Sequence, residues 1–266
     1  MTKMMKDQTG RSIEIVQAPE RIVSLVPSQT ELLFFFKMEG RLAGITDYCI
    51  YPEDKTAKIK KVGGPKTLDI QKIEEIQPDL IIANKEENSK KQIEELEKKY
   101  PVWVSDVRCL DDALSMIESI GLICGQEELA HNITENISKS MLDLNSESHI
   151  KVAYMIWENP YMTVGSNTFI NDILNKLGYI NVFEHLPRYP KIGSKQLAEA
   201  EADFVLLSSE PYPFTSVHIE KLKKLCPRSK ILLVNGQYFS WYGNRLLPAI
   251  SYFKSIKNII NTLHGK

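Results

Sequence analysis

Apolar residues in this chain fall into short continuous runs, separated by stretches where they recur every three or four positions. The first run, Arg21 to Val26, is closed by Pro27 and reads as a buried strand. The next four residues, Ser28 to Glu31, have the spacing of a capping box, with Ser28 at the N-cap. The helix they open carries Leu32 to Met38 and stops at Gly40. A strand over 43–46 follows. Ile70, Ile73 and Ile76 mark a short helix capped by Asp69, and Pro78-Asp79 separates it from a strand at Leu80 to Ala83. Between Asn84 and Lys99 the pairs Glu86–Lys90, Glu87–Lys91, Glu94–Lys98 and Glu95–Lys99 have i,i+4 spacing, which predicts a solvated helix face. Val102 to Val104 is a further strand. Short continuous strands alternating with helices imply a parallel sheet covered on both faces.

The second half repeats this order. Val152 to Ile156 answers the first strand, Ala202-Asp203 with the following run to Leu207 answers Pro78-Asp79 with its strand, and Ile231 to Val234 answers 102–104. The offsets are all about 125–130 residues, the mark of two lobes of related topology. Between them Gln126 to Asn145 holds no Pro or Gly, and Leu129, Ile133, Ile137, Met141 and Leu144 form one apolar stripe. That pattern predicts one long rigid helix joining an N-terminal lobe (1–123) to a C-terminal lobe (150–266), with the connection at 124–149.

Composition narrows the function. Among 266 residues, Lys+Arg number 33 and Asp+Glu 34, so no basic excess exists to neutralise a nucleic-acid backbone. The longest obvious apolar run, Leu32 to Phe36, is far short of the ~20 residues that cross a bilayer. Lys3, Lys6, Asp7, Arg11 and Glu14 interrupt the first twenty residues, which lack the apolar core of a secretory signal. The expected location is therefore cytoplasmic, or periplasmic or surface-tethered if a leader has been removed. Cys49, Cys109, Cys124 and Cys226 include no C-x-x-C pair and read as free thiols.

Ligands of open α/β sheets bind beyond the carboxyl ends of the strands. The segments there hold Ser28, Tyr48, the turn with Gly64 and Lys66, Glu86, Glu87 and Asn88, then Trp157, Tyr161, Glu210, Tyr212, Phe214, Trp241 and Tyr242. Residues 151–266 contain 16 of the 23 aromatic side chains, many of them at strand ends. Such rings offer a wide, rigid surface to a large planar ligand. No nucleotide-binding, nucleophile-elbow or zinc-protease motif occurs, and none of the five histidines pairs with another at metal-ligand spacing. Glu86, Glu87 and Glu210 could serve as acid/base groups or as hydrogen-bond acceptors.

Arg21 to Leu33, Gly44 to Pro52, Val62 to Pro65, Ile73 to Ala83, and Tyr189-Pro190 followed by Gly193 to Leu197 resemble the bacterial substrate-binding proteins of vitamin B12, siderophore and haem uptake, the helical-backbone metal receptors. The segments Trp157 to Gly165, Ser208 to Phe214 and Phe239 to Gly243 resemble a leaderless, cobalamin-binding-like subgroup. The resemblance implies two Rossmann-like α/β lobes with mostly parallel sheets and a corrinoid or other metal chelate in the cleft between them. It also implies ligand contacts from Tyr48 and Tyr189. It carries neither a catalytic residue nor a metal ligand nor a covalent cofactor, and the expected state is a monomer. Transport members dock on the permease through one Glu per lobe. Gln71 and Lys195 stand there instead, which puts permease docking in doubt. The alternatives are a cofactor-handling enzyme on the same fold, using Glu86, Glu87 or Glu210, and a transporter subunit for ferric siderophore or haem.

Overall fold

The structure is a computed structural model describing residues 2–16, 18–144 and 148–265. Its contacts divide the chain into two compact units. The first takes the chain up to Val107, Asp111–Glu135 and Tyr242–Arg245; the second takes Arg108–Leu110, Asn136–Trp241 and the chain from Leu246 on.

The first unit opens with an antiparallel hairpin, β1 (Thr2–Lys6) and β2 (Ser12–Val16). Then come β3 (Ile22–Ser24), α1 (Pro27–Phe35), β4 (Leu42–Ile45), α2 (Glu53–Thr56), the small hairpin β5 (Gly63–Gly64) and β6 (Thr67–Leu68), α3 (Ile70–Ile76), β7 (Leu80–Asn84), α4 (Lys90–Leu96) and β8 (Val102–Ser105). The main sheet has the order β4-β3-β7-β8 and is parallel throughout. Every residue of β3, β7 and β8 is buried, as a parallel sheet covered on both faces requires. Val23, Ile73, Ile81, Ile93 and Val102 belong to one core cluster beside it.

Two local expectations change. Helix α1 starts two residues early: Pro27 is its first residue and Val26, not Ser28, is the N-cap. Proline has the φ of a first helical residue and lacks the N–H that would go unpaired there. The charged stretch 84–99 is helical only over α4. The Asn84 side chain accepts the backbone N–H groups of Glu86 (2.8 Å) and Glu87 (3.0 Å) and folds that end into a turn. The helical pairs Glu86–Lys90 and Glu87–Lys91 therefore have no helix to form on. The contacts of this stretch include Lys90–Glu94 at 3.6 Å, Lys85 with Asp106 at 2.6 Å and Lys99 with Glu74 on α3 at 2.5 Å.

Helices α5 (Leu110–Cys124) and α6 (Glu127–Leu142) follow. Sixteen residues make α6 ~24 Å long. It is shorter than the 126–145 span expected, whose last residue, Asn145, lies outside the described residues, as do 146–147 of the connection. The division between units falls within this helix, after Glu135.

The second unit comprises β9 (Lys151–Trp157), β10 (Tyr161–Thr163), α7 (Phe169–Lys176), β11 (Ile180–Asn181), β12 (Lys191–Ile192), α8 (Ser194–Glu199), β13 (Phe204–Ser208), α9 (Ser216–Leu225), β14 (Lys230–Val234), α10 (Gly236–Ser240) and α11 (Leu246–His264). Its sheet has the order β12-β10-β9-β13-β14, with β11 also on β9. β9, β11, β13 and β14 are parallel, while β10 runs antiparallel to both neighbours, so a reversal at 158–160 sits where the sequence reading placed only a loop.

The repeat is visible in atoms. In the first unit Asp79 accepts the backbone N–H groups of Glu20 and Arg21 at 2.7 and 2.9 Å, and its own N–H goes to Arg21 O. In the second unit Asp203 accepts the N–H of Lys151 at 2.7 Å, and its N–H goes to Lys151 O. Each aspartate thus clasps the start of its unit's first parallel strand. Among the described residues no helix is long and apolar enough to cross a membrane.

Candidate functional site

In the first unit the carboxyl ends of β3, β4 and β7 bring three loops together. Tyr48, in the loop after β4, is 66% exposed. A side chain at Gly64 would meet the Tyr48 ring at 3.4 Å and Thr67 Oγ1 at 3.0 Å, so the glycine leaves room for the ring beside the β5–β6 turn. Lys66, in that turn, donates to the carbonyls of Glu86 and Asn88. Asn88 donates to Leu25 O and Pro65 O, both at 3.2 Å, and accepts the N–H of Asn84 at 2.8 Å. Asn88 is buried, and its amide ties the end of β3 and the β5–β6 turn to the loop after β7. Ser28 is buried too, and its Oγ has no hydrogen-bond partner among the described residues.

The segment Tyr242–Arg245 lies against these loops. Tyr242 is buried and its hydroxyl donates to Glu87 at 2.9 Å. Arg245 grips Glu31 with two parallel hydrogen bonds, Nε to Oε2 at 2.8 Å and Nη2 to Oε1 at 2.9 Å, and its guanidinium lies 4.5 Å from the centre of the Tyr51 ring. Both charged side chains are largely buried, at 14% and 17% exposed.

In the second unit the ends of β9 and β13 and the start of α9 build an aromatic cluster. Trp157, 40% exposed, meets Tyr212 edge-on at 5.5 Å between centroids. Tyr212 meets Phe214 at 4.8 Å, and His218 stands edge-on to both at 5.4 and 5.2 Å. Beneath the cluster lies Glu158. It accepts the Tyr212 hydroxyl at 3.1 Å and Lys221 Nζ at 2.6 Å, with His218 Nε2 3.4 Å away. His218 Nδ1 accepts the N–H of Thr215 and so caps α9. That fixes the proton of a neutral ring on Nε2, which faces Tyr212 and Glu158. Lys221 also sits 5.8 Å from the Tyr161 ring centre. Nearby, Glu210 Oε1 accepts Trp241 Nε1 at 2.8 Å and Ser240 Oγ at 2.9 Å. Half-buried Tyr189 carries the Arg188 guanidinium over its ring at 5.7 Å.

The carboxylates here act as acceptors that orient rings: Glu87 for Tyr242, Glu158 for Tyr212, Glu210 for Trp241. The sequence does not single out Glu158, His218, Lys221 or Arg245, and Glu31, read there as part of a capping box, pairs with Arg245 instead. Lys221 follows His218 by three positions and so shares its helix face, a signal readable only once α9 is known to cover the end of β9.

Burial works against ionisation of Glu158, yet the Lys221 ammonium and Tyr212 hydroxyl outweigh it and hold the carboxyl below its ordinary 4.5. The same contact, led by burial, pushes the Tyr212 phenol up. A carboxyl with a lowered folded value binds fewer protons folded than unfolded. It therefore stabilises the fold above its unfolded value, and that contribution is lost as pH falls through the folded one. We expect the melting temperature of wild type to fall more steeply below pH 4.5 than that of Glu158→Gln, measured in parallel by calorimetry. Parallel acid limbs would contradict this account of Glu158.

A family model described as periplasmic binding protein matches residues 22–225. A vitamin B12-binding protein of Vibrio cholerae is 25% identical over 206 residues, covering 75% of this chain and 71% of its own length. Among solved structures, the periplasmic vitamin B12-binding protein of Vibrio cholerae superposes with a TM-score of 0.77 at 20% identity, over 91% of this chain and 98% of that one. The petrobactin-binding protein of Bacillus subtilis gives 0.79 at 16%, over 98% and 99%. At such identities the structural likeness speaks for the fold. The family match, spanning both the β3 to β8 sheet and the turn that carries Glu210 and Tyr212, makes this chain a member of the periplasmic binding protein family.

Proposed function

We propose that the chain is a non-enzymatic binding protein for a corrinoid, a cobalamin-like chelate, and that the aromatic cluster of the second unit is a principal contact surface. The observation that carries this is Trp157: a 40% exposed indole backed by Tyr212, itself anchored on Glu158. A rigid, part-exposed ring of this kind suits a wide apolar macrocycle. The curated relatives are named vitamin B12-binding proteins, which supports the same ligand class. On the first unit, taken by itself, Tyr48 and Lys66 are the exposed residues proposed to meet a ligand.

Charge favours a corrinoid over an anionic chelate. Arg245 is held by Glu31, Lys221 by Glu158, and Lys66 by two carbonyls. In the second unit a haem propionate or a ferric catecholate would meet the Glu210 carboxylate beside the Trp241 ring, whereas the rim of a corrin carries neutral amides. Like charges facing each other lower affinity for the wrong ligand. Calorimetric titration tests this with cyanocobalamin, hemin and a ferric tris-catecholate. Cyanocobalamin should bind with Kd of about 1 μM or tighter, near −8 kcal/mol, and the two anionic chelates at least tenfold more weakly. Equal or tighter binding of either anion would overturn the charge argument.

We further propose that this chain does not dock on a basic permease face as transport members do. Gln71 on α3 and Lys195 on α8 are exposed, and Lys195 lies 3.7 Å from Glu199. Neither offers the carboxylate such a face requires.

A further inference from the structure

We propose that Glu210 is a positioning residue: it fixes the plane of the Trp241 indole and acts on ligand affinity through that ring, without touching the ligand. The part about affinity rests on the corrinoid reading above and on Trp241 meeting that ligand; the part about the ring does not.

Trp241 is half-buried at the C-cap of α10, its backbone N–H bonded to Gln237 O at 2.9 Å. An indole has one polar hydrogen. Here it is directed at Glu210 Oε1 at 2.8 Å, and Ser240 donates to the same oxygen at 2.9 Å. With the N–H so directed, Glu210 and Ser240 set the plane of the indole.

Glu210 is itself held firmly. Ser208 Oγ donates to Glu210 O at 2.6 Å and receives the Tyr154 hydroxyl at 3.2 Å from the fully buried Tyr154 ring. Gly236, the first residue of α10, donates its N–H to Ser209 Oγ at 2.9 Å. A Cβ at Gly236 would come within 2.3 Å of Ser208 Oγ and 2.8 Å of Glu210 Cγ. Only glycine lets α10 begin against the turn after β13, and this close approach brings Ser240 and Trp241, at the other end of α10, to the Glu210 carboxylate. Two loops from different strands are thereby locked into one mount for a single ring, and a ring fixed before binding loses less freedom on binding.

The role requires an acceptor oxygen and no charge, so glutamine should serve and alanine should not. The test uses the full chain labelled with 5-fluorotryptophan, the Trp241 resonance being assigned with Trp241→Phe. Without ligand, Glu210→Ala should shift and broaden the Trp241 resonance and leave that of Trp103 in place, while Glu210→Gln should keep it within a linewidth. In cyanocobalamin titrations Glu210→Ala should weaken binding at least tenfold and Glu210→Gln less than about threefold. Added to Trp241→Ala, Glu210→Ala should cost less than about twofold more, because coupled residues are not additive. An unmoved Trp241 resonance in Glu210→Ala, equal losses in the Gln and Ala variants, or full additivity would each overturn the proposal. If wild type binds no cyanocobalamin, the corrinoid reading falls, and the ligand-free spectra still decide whether Glu210 orients the ring.

Discussion

Trp157→Ala should weaken cyanocobalamin binding about 30-fold, the loss typical of an aromatic anchor worth about 2 kcal/mol. The expectation follows from three facts. Trp157 is the large exposed ring of the cluster, its edge-on partner Tyr212 is anchored on Glu158, and Glu158 is itself held by Lys221. Trp157→Phe should recover most of the loss, since a smaller ring still stacks. Calorimetry of the two variants checks this, with thermal melts to establish that both are folded. A loss below threefold for Trp157→Ala would remove this ring from the ligand surface.

The largest stability effect is expected at the Arg245–Glu31 pair. With side chains only 14% and 17% exposed and two hydrogen bonds of 2.8 and 2.9 Å, removal of one partner strands a buried charge. Breaking such a pair costs about 3 kcal/mol or more. In a chain of this size that is about 6–12 °C in melting temperature for Arg245→Ala. The guanidinium also covers the Tyr51 ring, so lost packing adds to the effect. Glu31→Leu combined with Arg245→Met should melt higher than Arg245→Ala, because neither charge is then buried alone. A melting temperature for Arg245→Ala within 2 °C of wild type would mean that the pair carries little.

The repeated strand, helix and aspartate pattern was legible in the chain because each element is set by local chemistry. Pro78-Asp79 and Ala202-Asp203 end a helix, and each aspartate reaches back to its unit's first strand. The helix capped by Asp69 appears as read, its side chain accepting the Lys72 N–H at 3.1 Å. Where the reading failed, a competing local interaction prevailed. Pro27 opened α1 and moved the N-cap from Ser28 to Val26, and Asn84 folded into a turn what charge spacing marked as helix. The antiparallel β10 escaped notice because three residues are too few to show a period. The strand-end loops were located correctly, yet the roles of their carboxylates were not legible. Glu158 meets Tyr212 across 54 positions, Glu87 meets Tyr242 across 155 and Glu31 meets Arg245 across 214. Nothing local to either partner announces such a pairing.

The central claim is that a corrinoid rests on the aromatic cluster of the second unit. Hydroxyl-radical footprinting read by mass spectrometry, with and without saturating cyanocobalamin, addresses it most directly. Oxidation of Trp157 should fall at least threefold on binding, while that of exposed Met4 in β1 stays unchanged. Binding that leaves Trp157 as reactive as in the free protein, with protection falling elsewhere, would contradict it.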